Sequence, residues 1–452
     1  MTFRSLALSS IKGNLRAYSA FFMSSGFSVM LFYIYASFIE HPAVIRGEII
    51  AANQIRTAMR LCEYIIIIFS VLFMIYSNSA FLKTRKKEFG LYSLFGMTRQ
   101  QLRRFIFQES MIIATMAIVL GTGLGILFSK LFYMGLAVLL DMNQPIPFIV
   151  PLRAVVLTIA CFLMLCLLVS AGNAISVGRT QILDLLKASV KSKSRFVYSR
   201  PLAVLSVVCL AAGYTLALTI QVKYFEYTAF LVLMLVLLGT YLLYTQLSTG
   251  VIQFIQRRYS LYYHRINMVL VAQLGYKLKD YARMLFIVSV MSSVILTSSG
   301  AMYLLWRSVQ FDGYRTQYEN PQSLLSLTLF IGMFISFLFF IAAGSIIYFK
   351  QYTELEEDRR QFQALIRMGM TLSEVRGLVR MQMGIIFFLP CAVGILNSLV
   401  AMWAMDRLLS LSNWGYSLVI IGIYLLMQGT YYTLTCKDYT RSVLQGSTLA
   451  SK

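Results

Sequence analysis

The stretch "LFGMTRQQLRR" at residues 94–104 returns 273 residues later as "RMGMTLSEVRG" at residues 367–377. In both copies a glycine precedes Met-Thr, and a Gln or Glu stands three residues after the threonine. Glycine readily takes the left-handed backbone conformation that ends a helix. A threonine followed at the third position by Gln or Glu forms the capping box that begins one. Each copy therefore predicts two helices joined by a tight polar turn.

Three residues in each copy are predicted to form the turn: the glycine that ends the first helix, and the threonine and the Gln or Glu that begin the next one. These residues are Gly96, Thr98 and Gln101 in the first copy and Gly369, Thr371 and Glu374 in the second. Such a turn can simply join two helices. However, its register is repeated, and aromatic or apolar residues stand among the charges beside it. These features favour a surface that contacts a partner, and a pair of turns suits a two-fold-symmetric one.

The composition around these turns is that of a membrane protein. Hydrophobic residues make up 58% of the 452, and charged residues only 13%, about half of the usual share. Apolar windows of about 20 residues are long enough to cross the hydrocarbon core as helices. We therefore predict an all-α integral membrane protein with ten transmembrane helices, at about 18–38, 62–82, 111–132, 154–176, 201–220, 227–249, 284–305, 325–349, 384–405 and 414–434.

The basic residues predict the orientation of these helices. Most of the 40 Lys and Arg fall in the segments that face the cytoplasm if the N-terminus lies inside, as the positive-inside rule requires. Both termini are therefore predicted to be cytoplasmic, and the basic inner face is expected to attract anionic lipids. Binding of nucleic acid is not expected, because the charges lie in short loops without a recognisable reading module.

The sequence offers no catalytic or metal centre. The six cysteines are scattered and form no CxxC pair, and the two histidines, His41 and His264, are predicted to lie on opposite sides of the membrane. We therefore predict no metal site. A phosphate-binding loop needs a Gly-Lys pair, and none of the 27 glycines precedes a lysine.

Small residues within the predicted spans indicate close helix packing. Gly121, Gly123 and Gly125 in "LGTGLG" place two small residues four apart on one face, which favours close helix approach. Ser292, Ser293 and residues 297–299 are predicted to form hydrogen bonds between helices.

The turns and their surroundings resemble the FtsX-like permease family of ABC transporters, within it the BceB-type permeases of peptide-antibiotic resistance. The resemblance rests on "RKKEFGLYSLFGMT", on "IIYFKQYTELEEDRRQFQALIRMGMT" and on "RTQILDLLKAS". It implies two three-helix units, each carrying a cytoplasmic coupling helix that rests on a separate dimeric ATPase. That ATPase would bind the ATP and Mg, and this chain would be a non-catalytic subunit. The docking residues would be Glu88, Phe89, Tyr92, Phe95 and Met97, and then Phe362, Leu365, Met368 and Met370.

The resemblance also implies a function in the bacterial cell membrane. The permease would remove or release a peptide antibiotic, such as bacitracin, from its lipid target. The alternative is a sensor or scaffold that binds peptide–lipid complexes and signals to a histidine kinase without net transport. BceB-type permeases carry a large extracellular domain between spans seven and eight, whereas only a short loop joins those spans here.

The predicted organisation has four parts. Residues 1–61 hold the first span and an outer interfacial segment, and residues 62–200 hold the first FtsX-like unit with a basic segment from Lys187 to Arg200. Residues 201–324 hold spans five to seven with the shortened loop, and residues 325–452 hold the second FtsX-like unit.

Overall fold

The structure, a computed structural model, is almost entirely helical in the residues that it describes. It describes residues 15–45, 88–139, 147–179, 199–219, 225–257, 267–311, 321–409 and 414–444, together with a few isolated positions between 67 and 85. No strand occurs within these ranges. The prediction of an all-α protein is confirmed.

Ten main helices follow one another along the described ranges. They are α1 (Leu15–Ile39), α2 (Arg99–Leu139), α3 (Leu152–Arg179), α4 (Arg200–Leu218), α5 (Phe225–Leu242), α6 (Ser248–Arg257), α7 (Asn267–Phe311), α8 (Pro321–Arg367), α9 (Leu372–Leu409) and α10 (Trp414–Leu444). A π-helical segment, Leu243–Leu247, joins α5 to α6.

Seven helices in the described ranges are long and apolar enough to cross a membrane. They correspond to predicted spans three to seven, nine and ten, with α5 and α6 together forming span six. The first predicted span lies in α1, whose apolar part is shorter, and the eighth lies within α8. The second, at 62–82, lies almost wholly outside the described residues. The total of ten therefore stays a prediction.

Three other predicted features also lie outside the described residues. They are most of the outer interfacial segment, nearly all of the basic segment up to Arg200, and the centre of the loop between spans seven and eight.

The chain divides into two compact units. The first comprises residues 1–195 and 317–331, and the second comprises residues 196–316 and 332–452. In the first unit, α1 packs along α2 and α3. A Cβ atom added to Gly121 would come within 2.5 Å of the Gly26 carbonyl oxygen, and one added to Gly125 would come within 2.8 Å of Tyr33. The predicted packing role of this glycine pair is confirmed, whereas Gly123 faces open space.

The second unit is built on α7, which packs along α9, with α10 against both. Its serines form the predicted hydrogen bonds between helices. The Ser292 hydroxyl lies 2.6 Å from the Tyr424 hydroxyl, and Ser293 donates to the Gly394 carbonyl at 3.3 Å. The Ser298 hydroxyl lies 2.9 Å from that of Ser336. These bonds tie α7 to α8, α9 and α10.

Candidate functional site

The repeated turns form two matching elbows, one in each unit. We name residues 88–109 the first elbow and residues 361–382 the second elbow. In each, the glycine has a positive φ, 94° at Gly96 and 102° at Gly369. The Gly96 and Met97 amides donate to the carbonyls of Ser93 and Tyr92, and the same two bonds recur at Gly369 and Met370. Both helices therefore end in a Schellman motif, as the sequence predicts.

The helices that follow begin with the predicted capping boxes. The Thr98 amide donates to the Gln101 side chain at 2.9 Å, and the Gln101 amide donates to the Thr98 hydroxyl at 3.3 Å. The Thr371 and Glu374 pair makes the same two bonds at the same distances. Each box satisfies two amide groups at a helix start, which would otherwise be unpaired. The two elbows therefore share one local geometry.

We expect Gly369→Ala to destabilise the second unit by about 1 kcal/mol, because an L-residue is disfavoured at a left-handed backbone position. A Cβ added there meets nothing within 4 Å, so the cost is one of backbone conformation alone. Thermal unfolding of the purified chain in detergent, followed by circular dichroism, measures it.

Gly377→Ala is the matched control for this substitution. Gly377 also has open space around an added Cβ but lies inside α9, where alanine should stabilise by about 0.5–1 kcal/mol. Equal unfolding temperatures for the two variants would contradict the assigned turn.

One side of each elbow is packed against the helix that follows it. Phe89 is fully buried in a cluster with Leu102, Phe105 and Ile106, and the Tyr92 ring meets the Phe105 ring edge-on at 5.6 Å. In the second elbow Phe362, Val375, Leu378 and Val379 occupy the equivalent positions and are also buried. We name this packed side of each elbow its root.

The burial of Phe89 and Phe362 corrects their assignment as docking residues. Each elbow folds back on itself, and the face that carries these rings turns inward onto the next helix. A partner protein cannot reach them without unpacking the root, so their role is structural. Glu88, Tyr92, Met97, Leu365 and Met370 are partly buried.

The exposed side of each elbow carries apolar residues at its tip. Phe95 is 86% exposed and Met368, at the equivalent position, is 75% exposed. Leu91 and Leu94 extend the first tip, and Leu372 extends the second. The sequence prediction omitted these three leucines, although Leu91, Leu94 and Phe95 follow the spacing of a single helix face. The two tips therefore expose large apolar side chains at matching positions.

A buried ion pair lies behind the root of the first elbow. The fully buried Arg85 guanidinium lies 2.6 Å from the Glu109 carboxylate, which is also buried, and 2.7 Å from that of Glu88. It also lies 5.1 Å from the centre of the Phe89 ring. Since Glu109 belongs to α2, this arginine ties the segment before the elbow to the helix after it.

The second elbow has a buried ion pair at the equivalent place, with an acidic residue at the position of the arginine. Asp358 stands where the first copy has Arg85, and Gln382 stands where it has Glu109. The positive charge comes from α7: the Lys277 ammonium lies 2.5 Å from Asp358 and 3.5 Å from the Gln382 side-chain oxygen. Tyr439 of α10 donates a further hydrogen bond to Asp358. Helices α7, α8 and α10 therefore meet at one buried carboxylate, and Gln382 of α9 contacts its ammonium partner.

A second group of charges lies two helical turns before Asp358 on α8. The Lys350 ammonium lies 2.5 Å from the Asp280 carboxylate and also pairs with Glu354, to which the Tyr281 hydroxyl donates at 2.6 Å. Burial raises the pKa of Glu354 above its ordinary value, although the Lys350 ammonium acts in the opposite direction. These contacts hold α7 and α8 together along the approach to the second elbow.

These buried charged residues, other than Glu88, are not among the site residues predicted from the sequence. The signal for the first pair is local, because Arg85 and Glu109 are 24 residues apart, one just before the first elbow and the other at its end. For the second elbow, the absence of a complementary charge at Gln382 indicated a partner elsewhere, but not which residue.

The two parts of the chain that contain the elbows match a known protein family. The family model for the C-terminal region of FtsX-like permeases matches residues 64–182 and again residues 333–436. The chain belongs to the FtsX-like permease family. This permease therefore carries the family's C-terminal region twice, and each match includes one elbow with its ion-pair position.

Similar proteins are ABC transporter permeases of Bacillus subtilis. The uncharacterised permease YvcS is 27% identical over 647 aligned positions, which cover 98% of this permease and 100% of YvcS. Since this permease has 452 residues, YvcS contains residues without a counterpart here. YxdM is 36% identical over 71% of this permease and 52% of its own length, and the bacitracin export permease BceB is 23% identical over 68% and 49%. This permease thus matches about half the length of YxdM and BceB.

Proposed function

We propose that this permease receives mechanical work from a separate dimeric ATPase that binds both elbows on the cytoplasmic face. The supporting observation is the repeated design of the elbows, in which a buried root carries an exposed apolar tip. Phe95 and Met368 occupy the same position in the two copies and stay exposed in both. An ATPase dimer presents the same cleft twice, so two matching tips suit it. The ATPase would bind the ATP and Mg.

The helices attached to the elbows suit this role. The second elbow joins α8, a continuous helix of 47 residues, to α9 of 38 residues. A helix of the length of α8 extends about 70 Å, far enough to cross a bilayer and reach beyond it. The Lys277–Asp358 pair would pass a displacement of the second elbow to α7, because the ammonium and the carboxylate are held at 2.5 Å in a buried site.

The proposed substrate is a peptide antibiotic bound to its lipid target. The support is the similarity to BceB of Bacillus subtilis, which is named as a bacitracin export permease. We propose that closure of the ATPase moves the helices attached to the elbows, and that this movement removes or releases the peptide. With the elbows on the cytoplasmic face, we propose that both termini are cytoplasmic as well. We also propose a sensor histidine kinase as a further partner.

Bacitracin protection tests this proposal. Cells that produce the permease with its ATPase are compared with cells whose ATPase binds ATP but does not hydrolyse it. We expect protection to be lost with the inactive ATPase, because removal of the peptide requires repeated cycles. Undiminished protection at equal protein levels would contradict transport and would favour the sensor that binds peptide–lipid complexes without moving them.

A further inference from the structure

A basic cavity lies between α9 and α10 in the second unit. It has a volume of about 640 Å³ and is open to the outside. Four cationic side chains line it, and its other walls are polar or apolar, with no acidic residue among them: Arg376, Arg380, Tyr432, Thr433, Cys436, Lys437, Thr440, Arg441 and Leu444. The volume lies within the range of small-ligand sites.

The four cations of this cavity have no carboxylate partner within the described part of the chain. The ion pairs found there join other residues, at Arg85, Lys277 and Lys350. Four like charges around one cavity repel each other, and an anion placed between them would relieve the repulsion. The charge pattern therefore favours an anionic ligand in this cavity.

The position of the cavity indicates where that ligand would come from. Arg380 lies four residues before predicted span nine, and Lys437 lies three residues after predicted span ten. Both therefore fall at the level of the inner lipid headgroups in the predicted topology. Next to them, Met381 is 53% exposed and Leu434 is 63% exposed. Basic side chains beside exposed apolar ones suit a ligand that has a charged head and a hydrocarbon chain.

The first copy of the repeat lacks one of this cavity's cations. Arg103 matches Arg376, but Phe107 stands where the second copy has Arg380. The cation at Arg380 is therefore not a feature that both copies of the repeat share.

We propose that this cavity binds the phosphate group of an anionic membrane lipid. Arg376 and Arg380 of α9 and Lys437 and Arg441 of α10 would surround the phosphate, and the acyl chains would extend past Met381 and Leu434. Guanidinium groups suit this ligand because they bind phosphate oxygens in pairs. A bound lipid would bridge α9 and α10 at the end of the second elbow. Basic cavities between transmembrane helices bind lipid headgroups in this manner.

Native mass spectrometry of the full chain in neutral detergent tests this site. The protein is titrated with phosphatidylglycerol, with phosphatidylcholine and, in a separate arm, with inorganic phosphate as a competitor. We expect one phosphatidylglycerol molecule to bind more tightly than any further phosphatidylglycerol molecules. We also expect it to bind more tightly than phosphatidylcholine. In R380Q/K437Q its affinity should fall about 10- to 30-fold, from the loss of two cations near the membrane surface.

Two further variants control for net charge and for folding. R103Q/R104Q removes the same charge from exposed positions in the first elbow and should change the affinity about twofold or less. R380K/K437R keeps the charge of the cavity and should retain the affinity within about threefold. An equal loss in R380Q/K437Q and R103Q/R104Q would overturn the proposal, and so would an equally severe loss in R380K/K437R.

The competitor arm identifies the source of the phosphate. Retention of the tight phosphatidylglycerol in excess inorganic phosphate assigns the site to the lipid, whereas displacement assigns it to free phosphate with the same four cations as ligands. If R380Q/K437Q keeps the tight lipid but no longer copurifies with the ATPase, the cations contact that protein and the proposal is wrong.

Discussion

Replacing Asp358 by alanine is expected to destabilise the second unit by about 3–5 kcal/mol, the cost of breaking a buried ion pair from one side. The carboxylate is 3% exposed and receives the Lys277 ammonium at 2.5 Å and the Tyr439 hydroxyl. Without it, the Gln382 oxygen at 3.5 Å would be the remaining partner of the buried ammonium among the residues that the structure describes. Thermal unfolding of the purified chain in detergent measures the effect.

Two variants control for this substitution. Glu357 is the exposed neighbour of Asp358 on α8, and Glu357→Ala should change the stability by about 0.5 kcal/mol or less. The double variant Lys277→Met/Asp358→Leu should recover much of the loss, because a buried ion pair can be replaced by apolar residues of similar volume at little cost. If Asp358→Ala is as mild as Glu357→Ala, the pair does not hold the helices together.

The double variant Phe95→Asp/Met368→Asp is expected to abolish copurification of the ATPase with the permease. Both tips are exposed in the chain itself, so the substitutions should leave its fold intact. At the proposed interface, each substitution would remove an apolar anchor and bury a carboxylate. Each would therefore cost about 2 kcal/mol or more of binding free energy. Two such losses correspond to an affinity about 1,000-fold lower. Affinity purification of the permease from cells with its ATPase measures the association.

The matched control places the same two charges beside the tips. Gln100 and Ser373 are exposed, occupy equivalent positions and lie at the starts of α2 and α9. An aspartate is favourable there because it lies near the positive end of the helix dipole. Gln100→Asp/Ser373→Asp should therefore retain the ATPase. Retention in the tip variant, or equal loss in both variants, would contradict the docking assignment.

The local geometry of the elbows was predictable because neighbouring residues determine it. Gly96 and Gly369 end helices and Thr98 and Thr371 begin them through bonds that span at most five residues. The glycine pair in α2 was predictable for a related reason, since two small residues four apart share one helix face.

Which side of each elbow packs inward depends on tertiary contacts, and the local sequence pattern does not determine these contacts. Phe89 and Phe95 both lie in a short apolar segment, and the sequence alone does not indicate which one turns inward. The fold decides this, because the segment lies back on α2 and Phe89 meets Phe105 and Ile106. The same reason explains why Phe362 is buried and Met368 is not.

The buried charges show how the two repeats diverged while keeping one design. In the first elbow, Arg85 and Glu109 supply both charges from the repeat itself. In the second, the acidic residue has moved to position 358, and Lys277 reaches it from a helix 81 residues earlier in the chain. A repeat-based comparison predicts the positions of these side chains but not the origin of the lysine.

Photo-crosslinking from the elbow tips tests most directly whether they receive the ATPase. A benzophenone amino acid is placed at position 95, at position 368 or at position 119, where Val119 is exposed on predicted span three. Membranes containing the permease and its ATPase are irradiated. We expect adducts with the ATPase from positions 95 and 368, and none from position 119. Adducts with lipid alone from both tips, in membranes where the ATPase is active, would contradict this account.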